Sequence, residues 1–208
     1  MSAPATHRGS ARGALRTDPR DTLNGSWRNA DPADPAVAVL LEDLVREYTL
    51  RYGDSFDGQP HSARNEINRY PRERFVAPDG AFLLYEEGGE VISGGAIMRL
   101  DASTAEVKRV WTHPEHRGRG LAAATMAGLE ATAAQLGYTR IYLTTGPAQP
   151  EAVALYLATG YTPGFDPAGY PATAGPHPFT KDLAPTGAGD AAKRSNSTST
   201  ITSQEDPA

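Results

Sequence analysis

Between Asp34 and Tyr52 the apolar residues Val37, Leu40, Leu41, Leu44 and Tyr48 recur at intervals of three and four. That spacing places them on one face of a helix, and the Asp-Pro pairs before it and Gly53 after it predict a helix over about 34–51. The following stretch, GDSFDGQPHSARNEINRYPRERFVAPDG, is polar and broken by Gly and Pro, so it reads as a loop-rich cover with one short helix near 62–69. AFLLYEEGGEVISGGAIMRL then gives two runs of β-formers around Gly88 and Gly89, a pair suited to the positive φ angles of a tight hairpin turn. Gly94 and Gly95 inside the second run signal a bulge or a close backbone approach.

TAEVKRVWTH is a third strand, in which Val107 and Val110 stand three apart although a regular strand returns to one face every two residues. Either each valine packs on its own side of a sheet covered on both faces, or a bulge near Lys108 and Arg109 brings them to the same side. After a glycine-rich loop, Ala122, Met126, Leu129, Ala133 and Leu136 form a helical stripe ended by Gly137. RIYLTT, 140–145, follows as a short apolar strand whose links suit a parallel βαβ unit. A second helix starts near Gln149, with Pro150 at its first position and Glu151 in its first turn, and stops at Gly160. YTPGF and HPFTKDL supply one or two closing strands.

Composition narrows this to one domain within the 208 residues. Arg8, Arg12, Arg16 and Arg20 recur every four residues near the N-terminus, but Gly9, Gly13 and Pro19 oppose a helix and little there is apolar. Residues 1–26 and 184–208 therefore read as disordered tails flanking a folded part at 27–183. A net charge of −5 argues against a nucleic-acid or membrane-surface partner. With no cysteine there is no thiol nucleophile and no thiolate metal site, and His113 and His116 lack further ligands at metal spacing, so no metal is expected. No apolar run spans a bilayer and no signal-peptide core is present, which predicts a soluble, cytoplasmic protein.

The stretch HPEHRGRGLAAATMAGLE puts two arginines and two glycines directly before a helix. A helix N-terminus leaves its first amides unpaired, so an anion held there satisfies them. GRGLAA also fits the GxGxxA dinucleotide fingerprint, but RIYLTT ends without the acidic residue that would hold a ribose, and no further βα alternation follows. A nucleotide triphosphate loop is excluded because no GK[ST] is present.

Arg117, Gly120 and Ala122, preceded by EVKRVW and followed by a helix of small residues, resemble the acetyl-CoA motif of the GNAT superfamily of N-acetyltransferases. TTGPAQPEAVALYLATGY is similar to that family's strand, Tyr-bearing helix and Gly-aromatic pair, and the likeness covers roughly 27–183. The resemblance implies an α/β fold: a mixed, mostly antiparallel sheet with flanking helices and a central parallel βαβ unit. It implies a bulged strand whose Val110, Trp111 and Thr112 run along pantetheine, and Arg117, Gly118, Arg119, Gly120, Leu121 and Ala122 around the CoA phosphates. Many members carry Asn where this chain has Gln149, whose amide would still reach the cosubstrate.

An alkyl amine with a pKa of about 10.4 must lose a proton before it attacks a thioester. Glu106, on the strand flanking the thioester, is the candidate base, or else a carboxylate paired with Lys108 or Arg109. Tyr156 stands where family members often carry the general acid that protonates the departing thiolate, or else packs in the core. Two function classes follow: an enzyme moving acetyl from acetyl-CoA to a small-molecule amine or protein amino group by direct attack, and a non-catalytic acyl-CoA-binding sensor or interaction module. The acceptor pocket is expected around 54–70 and 161–179, with Asp54 and Asp57 able to attract a cationic amine.

Overall fold

The computed structural model describes residues 18–53, 55–56, 59–60, 62–171 and 175–184. The sequence-predicted tails, apart from 18–26 and Ala184, lie outside the described residues, as do Asp54 and Asp57. The predicted N-terminal boundary at 27 falls inside the first strand, β1 (Ser26–Asn29). Before it Pro19–Thr22 forms a short 3₁₀ turn capped by Asp18. Leu23 then packs with Trp27 against Tyr85, Ile92 and Leu121, so the folded part begins earlier than the polar composition suggested.

Helix α1 (Pro35–Tyr52) is opened by Asp34, whose side chain accepts a hydrogen bond from the Ala36 amide, and closed by Gly53 at φ 61°. Its buried face is Val37, Leu40 and Leu44, as the spacing predicts. A two-residue ladder, β2 (Ser55–Phe56) with β3 (Gln59–Pro60), precedes α2 (Ala63–Asn68), which Ser62 caps. The hairpin β4 (Ala81–Glu87) and β5 (Glu90–Arg99) turns at Gly88 and Gly89, at φ 63° and 87°. Then come β6 (Thr104–Thr112), α3 (Leu121–Gln135), β7 (Arg140–Thr145), α4 (Pro150–Ala158), β8 (Thr162–Pro163) and β9 (His177–Asp182).

Seven strands form one mixed sheet in the order β1-β4-β5-β6-β7-β9-β8. The β6–β7 pair is parallel, joined through α3, and the other neighbours are antiparallel. Two apolar clusters cover the sheet. One joins α1 and α2 to Phe82, Leu84, Ala96, Met98 and Trp111. The other joins α3 and α4 to Leu83, Ile97, Val107, Leu143 and Phe179. Lys181 ties β9 to both helices on that side, by 2.8 Å bonds to Glu130 and a 2.9 Å bond to the Thr159 carbonyl.

Small residues let α3 lie close to the strands. Its buried positions include Ala124, Thr125, Gly128 and Ala133, a broader face than the stripe predicted from the sequence. The buried Ser93 hydroxyl bonds the Trp111 carbonyl and the Thr125 hydroxyl, each at 2.8 Å, and so fastens α3 to β5 and β6 through satisfied polar groups. Close approach explains the paired glycines: a Cβ on Gly94 would lie 2.8 Å from the Leu83 carbonyl oxygen, and one on Gly95 would lie 2.9 Å from Leu129 Cδ1. The Leu83 oxygen is backbone held in the ladder and has little room to yield. Gly94→Ala is therefore expected to lower stability by about 1–3 kcal/mol. Urea unfolding checks this, and a midpoint equal to wild type would contradict it.

Candidate active site

The site arises where the parallel pairing ends. Strand β6 pairs with β7 only at Thr104–Glu106 against Arg140–Tyr142. From Val107 onward it stays on β5 alone, with Ala96 opposite Lys108 and Gly94 opposite Trp111. Gly95 therefore faces two residues, Arg109 and Val110, and Arg109 takes φ 59°, which identifies a bulge. The extra residue puts Val107 and Val110 on the same side, both packed in the α3–α4 cluster, while Trp111 enters the α1–α2 cluster. Of the two readings of the valine spacing, the bulge holds.

A cavity of about 440 Å³ lies against this parted edge. At one end it is lined by Arg117, Gly118, Gly120 and the first turn of α3, Leu121 to Ala123. Gly118 and Gly120 have φ 76° and 79°, which lets the chain reverse into the helix. Gly120 caps α3 and, having no side chain, makes no capping bond to its first turn. Among the described residues no carbonyl accepts from the Leu121, Ala122 or Ala123 amides, so an uncapped positive helix end opens on the cavity. Ala122, part of the predicted core stripe, lines this opening instead. Arg117 also lines it, with its guanidinium 2.7 Å from Glu47 and its Nε donating to the Thr112 carbonyl at 3.3 Å. Arg119 points elsewhere: its guanidinium meets Glu87 at 2.6 Å and His116 at 2.8 Å, and it does not line the cavity.

Val110, Trp111 and Thr112 form the wall of the cavity along β6. On the opposite wall Gln149 bridges the end of β7 to α4, with its Oε1 accepting from the Thr145 hydroxyl at 3.0 Å and the Gly146 amide at 2.9 Å. Its carbonyl is thus spent on the protein, and its side chain also bonds Tyr48. Tyr156 lines the far end, its ring tilted against those of Phe179 and Tyr161, and burial pushes its phenol above the usual tyrosine range. No described residue takes a hydrogen bond from its hydroxyl.

Glu106 is not brought to the cavity. It is 6 % exposed and its carboxylate lies 2.6 Å from the Lys108 ammonium, the ion-paired alternative that the sequence left open. Three residues the sequence did not single out as site residues also line the cavity: Tyr48 and Tyr52 from α1 and Glu66 from α2, the last within the 54–70 segment expected to shape the acceptor pocket. Burial pushes both phenols up to about 12. Tyr48 was legible only as part of an apolar stripe, and no sequence signal links Glu66 to β6. Among the described residues no three His, Cys, Asp or Glu side chains gather as a metal group, and no helix is long and apolar enough to cross a membrane.

Residues 39–161, more than half of the chain, match the family described as acetyltransferase (GNAT) family. The chain belongs to the GNAT acetyltransferase family. Like other members it is an acetyl-CoA-dependent N-acetyltransferase. The uncharacterized N-acetyltransferase YjgM of Escherichia coli K12 is 28 % identical over 131 residues, 62 % of this chain and 75 % of that protein. Two solved structures share the fold. The GNAT domain of S. lividans PAT is 24 % identical with a TM-score of 0.58, covering 79 % of this chain and 93 % of that one. A GNAT family acetyltransferase from Elizabethkingia anophelis, solved with acetyl-CoA bound, is 15 % identical with a TM-score of 0.54, covering 77 % of this chain and 99 % of that one.

The backbone at Gly120 carries a direct test of the loop. A β-branched side chain is strained at φ 79°, whereas Asn tolerates that region. Gly120→Val is expected to weaken acetyl-CoA binding by at least about tenfold and Gly120→Asn by no more than about threefold, since about 1.4 kcal/mol is tenfold. Titration calorimetry on variants with intact melting curves checks this. Equal affinity in the valine variant would place the cosubstrate elsewhere.

Proposed function

We propose that this chain transfers an acetyl group from acetyl-CoA to a primary amine by direct attack in the cleft between β6 and β7. The observation that carries the reading is continuity: one cavity runs from the uncapped start of α3, along the unpaired edge of β6, to the Tyr156 phenol. The acetyl-CoA bound to the Elizabethkingia relative supports it. The amides of Leu121 to Ala123 suit a diphosphate, and Arg117 adds positive charge beside them. The free edge from Val107 to Thr112 offers backbone groups to the amide-bearing pantetheine arm. A strand amide at Val110 or Trp111 polarises the thioester carbonyl.

In the transfer the amine nitrogen attacks the acetyl carbon, the C–N bond forms and the C–S bond breaks. In the first proton step one ammonium proton leaves before attack. In the second the departing sulfur gains a proton from the general acid while the adduct nitrogen gives up its second proton and restores that acid, so that one proton is released in net. Tyr156 serves the second step, because burial keeps its O–H protonated and no acceptor among the described residues competes for it. For the first step we assign Glu66, acting through water, since it lines the cavity whereas Glu106 is held by Lys108. Arg119, turned toward Glu87, contributes its backbone rather than its charge.

Tyr156→Phe is expected to lower kcat by about a hundredfold with acetyl-CoA affinity within about twofold of wild type. Because its phenol is raised, Tyr156 should impose no falling limb on the kcat profile below about pH 10. Steady-state thiol release from pH 6 to 10 checks both, and an unchanged kcat in the phenylalanine variant contradicts the acid role. Glu66→Gln should lower kcat/KM near pH 7 by at least about tenfold, with the loss shrinking as the free amine accumulates at higher pH. A loss confined to Glu106→Gln would return the base to Glu106. Acetyl-CoA binding with no thiol release across an amine panel would favour the non-catalytic module.

A further inference from the structure

We infer that the acceptor amine also carries a carboxylate or a comparable anionic group, and that Arg109 holds it. The inference rests on the acetyl-transfer reading and names the substrate class of the same site.

Most of the charged side chains that line the cavity are matched by an opposite charge. Lys108 meets Glu106 at 2.6 Å, Arg117 meets Glu47 at 2.7 Å, Glu151 meets Arg51, and Glu66 stands 3.8 Å from Arg69. Arg109 is the exception: no carboxylate among the described residues lies within ion-pair distance of it. Its Nη2 donates to the Ile67 carbonyl at 2.7 Å and more weakly to Tyr70 at 3.5 Å, and its guanidinium lies 4.0 Å from the Phe75 ring centre. The Nε and Nη1 hydrogens have no acceptor among the described residues. Burial pushes its pKa down to about 10, so it remains a cation at neutral pH, facing carbonyl dipoles and a ring but no anion among the described residues.

The fork is also fixed before any ligand arrives. Arg109 sits at the bulge with φ 59°, in a conformation rarely taken by a long side chain, and its contacts to α2 and Phe75 hold the guanidinium plane. Planar N–H donors of this kind match a carboxylate by charge-assisted hydrogen bonds. Arg109 lies toward the start of the parted β6 segment, whereas Arg117 and α3 lie beyond its end, so the anion in question is not the diphosphate. Glu66 lines the same cavity and directly precedes Ile67, whose carbonyl Arg109 grips. A carboxylate, loosely paired with Arg69, and an unmatched guanidinium thus line one cavity, the arrangement that an amino carboxylate, with its ammonium and its carboxylate, complements.

The test uses the full chain with acetyl-CoA and matched acceptors: phenylalanine with phenethylamine, tyrosine with tyramine, lysine with cadaverine and arginine with agmatine, beside the remaining proteinogenic amino acids. Thiol release should show at least one amino acid with kcat/KM about tenfold or more above its decarboxylated partner. Arg109→Gln should raise the KM for that amino acid by about tenfold and erase the preference, with the KM for acetyl-CoA within about twofold, and Arg109→Lys should keep part of the preference. On the wild-type chain, which needs no variant to fold, the amine-free acid of the same side chain, such as 3-phenylpropionate for phenylalanine, should compete with the acceptor and not with acetyl-CoA. Equal or faster turnover of the decarboxylated amines, no turnover of any amino acid, or a preference untouched by Arg109→Gln in a folded variant overturns the inference. If acetyl-CoA itself fails to bind by calorimetry, it is the transfer reading that fails.

Discussion

The parallel hydrogen bonding between β6 and β7 extends over only three residue pairs and then stops. Two adjacent strands that part inside a sheet leave backbone groups without partners, a cost that a buried interior rarely tolerates. Here the separation is built in by the bulge at Lys108 to Val110 and by Gly95, which lets the bulged backbone and α3 approach together. The cleft so formed is open to a ligand whose own amides can complete the edge. In the acetyl-transfer reading proposed above, cosubstrate recognition continues the sheet pairing, with the helix end of α3 supplying the charge.

The walls of the cleft are braced from outside by charge. Arg51 on α1 reaches the Ala148 carbonyl, Glu47 and Glu151, while Glu47 also holds Arg117. One chain of ion pairs thereby connects α4, α1 and the loop before α3. These groups are partly exposed, so each pair adds little to stability alone. Their value lies in geometry, because they set the distance between elements that the missing β6–β7 pairing no longer fixes. Near the start of the parted segment Arg109 does the same for α2 through the Ile67 carbonyl, and its positive charge lines the cavity.

Much of the scaffold was legible because local rules govern it. The stripe Val37, Leu40, Leu44 declared α1, Gly88 and Gly89 declared the hairpin, and Gly120 before a run of small residues declared an open helix start. The valine spacing in β6 left a regular strand covered on both faces and a bulge both open until the register with Gly94 and Ala96 was known. Where only residue type was available, the assignments drifted. Arg119 looked like a phosphate ligand and turns to Glu87; Glu106 looked like a base and is paired with Lys108. A charged side chain has several solvated or paired resting places, and its neighbours in sequence do not choose among them.

The sequence by itself determined the order of elements from α1 to β9, apart from the β2–β3 ladder and with β1 missed, together with the glycine-rich loop and the family resemblance, since these depend on periodicity, glycine conformation and helix-end chemistry within a few residues of each other. Only the tertiary structure decided which side chains share the cavity. Tyr48, Glu66, Arg109 and Tyr156 come from α1, α2, β6 and α4, and they meet because sheet order and helix packing fold distant segments onto one parted strand. Side-chain direction at a bulge and the partner a buried charge selects are long-range quantities, fixed by what lies across the cleft rather than by what lies next along the chain.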